Sequence, residues 1–93
     1  MDKAEAHGLL GEQIGRLRKL SYEDLRERLD QPETFELPGP SGKTYQLQVH
    51  AFWDGPRDQN LRVMVSVDDG GWRAFAPLSS DFIIAPNGSF VGQ

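Results

Sequence analysis

Ninety-three residues suffice for one domain, 1–93, with a modest core, since a chain this short buries only about two thirds of the surface its unfolded form exposes. No cysteine is present, which excludes disulfides, thiolate zinc sites and cysteine nucleophiles, and the formal charge of −4 gives no pull toward a phosphate backbone or an anionic membrane. The imbalance falls late in the chain: residues 1–30 carry six basic and seven acidic groups, residues 31–93 carry four and seven.

Asp2–Leu20 is predicted as a helix, because Leu10, Ile14 and Leu17 recur at helical spacing and Leu9 and Leu20 widen the stripe. Gly8, Gly11 and Gly15 each weaken it by about 1 kcal/mol relative to alanine, so its first turns are expected to fray. Ser21-Tyr22-Glu23-Asp24 resembles a capping box, and Leu20 and Leu25 stand at the spacing of a hydrophobic staple. A second helix is expected over Tyr22–Leu29, closed by Gln31-Pro32 because a residue before proline is pushed out of the helical region.

The period then changes from helical to two. Glu33–Leu37 reads as a short strand, and Pro38 to Gly42 as a loop. Lys43–Trp53 is the longest strand, with Tyr45, Leu47, Val49, Ala51 and Trp53 on one face and Thr44, Gln46, Gln48, His50 and Phe52 on the other. Leu61, Val63, Val65 and Val67 alternate with Arg62, Met64 and Ser66 in the clearest strand of all. Asp68-Asp69-Gly70-Gly71 supplies turn residues, and Trp72–Phe75 is expected to run back as the partner strand. Pro77–Ser80 reads as a connection, Asp81–Ala85 as a short strand, and Pro86 to Ser89 as a turn into Phe90-Val91. The expected fold is α+β: two N-terminal helices on one face of an antiparallel meander of four to six strands.

Motifs with chemical meaning fall away on spacing. GPSGKT at Gly39–Thr44 looks like half of a phosphate-binding loop, but four residues before Gly42-Lys43 the position is not glycine, and a strand follows rather than a helix. Asp54, Asp58 and Asn60 offer oxygens to a hard cation, yet Gly55 and Pro56 stand in the wrong places and no distal acid completes a calcium loop. Neither a metal nor a cofactor is expected. Asn87-Gly88-Ser89 matches a glycosylation acceptor and reads as a turn. His7 lies in the segment expected to fray, and His50 sits mid-strand without a nucleophile elbow or a metal pair to support catalysis. The residues therefore give no catalytic assignment.

No apolar run reaches the about 18 residues of a membrane span, and the first residues are too charged for a secretory leader, so a cytoplasmic protein without membrane contact is expected. Nucleic-acid binding is not expected from the acidic balance. What the alternation leaves unexplained is the second sheet face. If Val63 and Val65 face the helices, then Phe52, Met64 and Phe75 face away, joined there by His50, Arg62 and Arg73. These residues form either a partner-binding surface or a second core beneath the C-terminal strands or the 54–60 loop. The first reading makes the chain a non-enzymatic binding or regulatory domain acting through protein contact, with a homodimer possible. The second functional reading is a small-molecule-binding protein or enzyme with a site near His50, Arg62 and Arg73.

Overall fold

A computed structural model describes residues 2–69 and 78–92. Helix α1 spans Lys3–Leu17 and helix α2 spans Tyr22–Arg26. Five strands follow: β1 (Glu33–Pro38), β2 (Thr44–Trp53), β3 (Leu61–Asp68), β4 (Leu78–Ile84) and β5 (Phe90–Val91). They form one antiparallel sheet in the order β1-β2-β3-β4-β5, the meander that short sequential connections favour. Both helices lie on the same face. Leu9, Leu10, Leu17, Tyr22 and Leu25 join Leu47, Val49, Val63, Val65 and Phe82 in one buried core.

The helices are shorter than their apolar stripes suggest. After Leu17 the backbone tightens, with Lys19 N–H donating to Arg16 O and Leu20 N–H to Leu17 O. After Arg26 the same three-residue pattern carries the chain through Leu29 to Asp30, whose φ of +58° ends the helical course before Pro32 is reached. Leu29 then forms an isolated parallel bridge with Ala51, so the residue expected to finish α2 is tied to the sheet.

Ser21 caps α2 as its hydroxyl suggests, with Oγ accepting from Asp24 N–H at 3.1 Å. The first turn of α1, expected to be the weakest, is held at several points. Asp2 Oδ1 accepts from Glu5 N–H at 3.1 Å, and the Glu5 carboxylate accepts from the backbone N–H and the hydroxyl of Ser41, at 3.2 and 2.9 Å. Ser41 belongs to the β1–β2 hairpin, where Gly39 N–H donates to Lys43 O at 2.7 Å. A side chain at position 39 would force its neighbours to shift. A Cβ there would lie 1.7 Å from Glu5 Oε1 and 2.8 Å from the Tyr45 ring. GPSGKT is thus the hairpin loop that its spacing implies, and its glycine serves a close approach of side chains.

β3 is flanked by β2 on one side and by β4 on the other, with Val65 opposite both Val49 and Ser80. β4 begins at Leu78, so the expected connection Pro77–Ser80 is strand from its second residue onward. The reason is visible in the pairing: Leu78, Ser79 and Ser80 complete the ladder along Val67, Ser66 and Val65. The expected return strand Trp72–Phe75 lies outside the described residues. β5 pairs only with Ile83 and Ile84, and Gly92, at φ +79°, turns the chain off that line. Asn87-Gly88-Ser89 is a turn, with Asn87 Oδ1 accepting from the Ser89 N–H and hydroxyl at 3.0 and 2.8 Å.

Candidate protein-contact face

Register places the side chains that face away from the helices in rows across the strands. Glu36, Gln46 and Asp68 form one row, and Thr34, Gln48, Ser66 and Ser79 the next. His50, Met64 and Asp81 form a third, and Phe52, Arg62, Ile83 and Val91 the last. None of these residues is buried, whereas Leu47, Val49, Val63 and Val65 on the other face are at most 2% exposed. β4 and β5 extend the sheet sideways, so among the described residues no strand lies over this face.

The face is divided. One end gathers Phe52, Met64, Ile83 and Val91, and the other is polar and acidic. Phe52 and Met64 are half-buried rather than exposed, and the His50 and Phe52 rings are 5.2 Å apart at 52°. Val91 is the one large apolar side chain counted as exposed among the described residues, at 39%. His50 itself is exposed, with its ring beside that of Phe52. At the other end Thr34, Gln46, Leu47, Gln48, Ser66 and Asp68 line a hollow of ≈ 200 Å³.

Arg62 stands in the middle of the apolar end, and its donors are committed. Nε and Nη2 donate to Asp54 Oδ1 at 3.0 and 2.8 Å, and Nη1 donates to Asp81. These hydrogen bonds, Asp54's first and then Asp81's, push the guanidinium above its ordinary pKa despite some desolvation. The cluster holds one cation between two carboxylates, so it is net negative and offers nothing to an anionic ligand. It ties β3 to β4 and to the start of the β2–β3 loop.

That loop, expected to be solvated, uses its acids in the same way. Asp58 pairs with Arg26, whose guanidinium also lies 5.2 Å from the Trp53 ring centre, and Asp54 pairs with Arg62. Tyr22 Oη donates to Gln59 O at 2.5 Å. No cluster of acidic and histidine side chains suited to a metal occurs among the described residues. No described helix is long and apolar enough to cross a membrane.

Of the residues singled out from sequence, His50, Phe52, Arg62 and Met64 come together on this face. Arg73 and Phe75 lie outside the described residues. Ile83 and Val91 were not anticipated. Alternation within Asp81–Ala85 sets Ile83 opposite in sense to Phe82 and Ile84, which was the available signal. Comparison with protein-family models, with curated proteins and with solved structures found no match.

Proposed function

We propose that this chain is a small non-enzymatic binding domain of the cytoplasm that contacts a protein through the sheet face turned away from its helices. One observation carries the reading: Phe52, Met64, Ile83 and Val91 cluster on a face where none of the described residues is buried, while the opposite face of the same strands is closed. Apolar groups gathered on a solvent-facing sheet mark interaction surfaces more often than scattered exposure does. The alternative of a small-molecule or catalytic site near His50 and Arg62 gains nothing from the geometry, because Arg62 is held by Asp54 and Asp81.

The reading is tested by mapping. Peptides selected from a random library displayed on phage are added to isotope-labelled protein, and amide shifts are followed. The expected outcome is movement of amides in Gln48–Phe52, Arg62–Ser66 and Asp81–Ile83. Replacing Phe52 and Met64 together with serine should abolish the shifts and leave the circular dichroism intact. Movement confined to α1 and α2 would refute the proposal, and unfolding of the double variant would assign these residues to a core.

A further inference from the structure

We propose that the contact face is redox-sensitive: oxidation of Met64 to its sulfoxide by peroxide weakens the protein contact and leaves the fold standing. This rests on the contact reading above and adds its regulation.

Composition narrows the targets. The chain has no cysteine, so no thiolate of its own competes for a mild two-electron oxidant. Its two methionines are Met1 and Met64, and Met64 is the one that belongs to a strand.

Its place in the sheet gives the reaction a consequence. Met64 pairs with His50 on β2 and with Asp81 on β4, so it stands inside the outer face rather than at its margin. Phe52, Arg62 and Ile83 form the row on one side of it, and Gln48, Ser66 and Ser79 the row on the other. Met64 is thus where apolar ground meets polar. It is half-buried and keeps part of its surface in solvent, whereas Val63 and Val65 beside it are 0% exposed and closed to a small solute.

The chemistry is a single oxygen transfer. A sulfur lone pair attacks one oxygen of hydrogen peroxide, and the S–O bond forms as the O–O bond breaks. The proton left on the bound oxygen passes to the departing hydroxide, which leaves as water. Sulfur gives up two electrons and peroxide takes them. Methionine sulfoxide reductases reverse the step, with the oxygen leaving as water while two thiols become a disulfide.

The product is a strong hydrogen-bond acceptor where an apolar group stood. On the free protein this is tolerated, because the oxygen meets water, and the His50 imidazole and Ser66 hydroxyl stand on the same face as donors. Met64 is no member of the buried core, so its oxidation removes nothing from the layer that holds the fold. Under an apolar partner group the same oxygen loses its water, and a buried acceptor without a donor opposes association.

The outer-face peptides selected on phage provide the test. Folded protein is treated with hydrogen peroxide, its fragments are weighed, and peptide affinity is measured before and after. Met64 should gain one oxygen atom, the circular dichroism should stay unchanged, and the peptides should bind several-fold more weakly. The two methionine sulfoxide reductases with a dithiol should restore the affinity. Met64→Leu, whatever its own starting affinity, should be indifferent to peroxide, which separates Met64 from Met1. An unmodified Met64 beside an oxidised Met1, or an oxidised Met64 with unchanged affinity, would overturn the inference and leave the contact face standing. So would unfolding on oxidation, or a Met64→Leu variant that still loses affinity. Peptides that move only helix amides, before any peroxide is added, would overturn both.

Discussion

The two faces of the sheet are built from the same strands and could hardly differ more. Along β2 and β3 alternate residues fall to opposite sides, so Val49, Val63 and Val65 share a closed layer with Leu9, Leu10 and Leu17 while His50, Arg62 and Met64 look outward. The covered face is uniform: its large apolar groups touch one another and no charge lies among the buried residues described. The outer face is graded, apolar at the Phe52 end and acidic at the Glu36 end. The contrast teaches that the covered face is determined by packing alone, since any close-packed apolar set would serve it. Packing gives no reason for the gradient opposite, and so that face is where function is sought.

The comparison breaks most readily from the covered side. Leu17 is fully buried at the end of α1, and Leu17→Ala is expected to lower stability by about 2–5 kcal/mol through lost burial and the cavity left behind. Chemical denaturation checks it, and a loss within error would mean that α1 does not close the core. A finer test sets adjacent residues of β3 against each other. Val65→Ala should cost about 1–3 kcal/mol, and Met64→Ala clearly less, since Val65 is 0% exposed and Met64 is half-buried. The reverse order in denaturant melts would exchange the two faces, because a slip of one residue moves every side chain across the sheet.

Smaller still is the cap. Ser21→Ala should cost about 1 kcal/mol by leaving the Asp24 N–H without its acceptor. A melt identical to wild type would show that α2 contributes nothing to holding the covered layer. The smallest effect is confined to alkaline pH. Tyr45 is buried in the core, and burial first, then the carboxylates of Glu5, Asp2 and Asp69, pushes its pKa above the ordinary 10.0 against a smaller opposing pull from the Asp2 backbone. The folded chain therefore keeps a proton that the unfolded chain releases. Stability from this source is whole below pH 10.0 and falls as pH rises toward the folded pKa. Tyr45→Phe should flatten that alkaline decline in a pH series of melts. An unchanged decline would mean that the phenol ionises equally in both states.

Much of this was legible before any coordinates. Alternation alone placed β2 and β3 to within a residue and assigned Val65 inward and Met64 outward. It failed at β4, where Ser80 takes a half-buried place opposite Val65 and the run Leu78-Ser79-Ser80 lacks the apolar rhythm of a strand. It also overran the helices, because Leu20 and Leu29 pack against the core from non-helical backbone. On the outer face, parity found His50, Phe52, Arg62 and Met64. The pairing of Arg62 with Asp54 and Asp81 spans separations of 8 and 19 residues, set by register that no local pattern encodes.

The brevity of β5 has a consequence for how the sheet terminates. Ala85 N–H donates to Ser89 O, so it points toward β5, and by the two-residue period the backbone groups of Ile83, Asp81 and Ser79 point the same way. β5 reaches only Ile83 and Ile84, which leaves Asp81 and Ser79 at an open margin among the described strands. Unpaired margins invite other chains to add on, and fibres grow from them unless something intervenes. Here the guard is a charge: Asp81 stands on the margin, fixed by Arg62, and a second chain laid there would meet it. Deuterium uptake should accordingly alternate along β4, fast at Ser79 and Asp81 and slow at Ser80 and Phe82, whose amides turn toward β3. The same logic makes Asp81 a gatekeeper, whose loss would show first in storage at high concentration, as aggregates seeded from the margin that the described strands leave open.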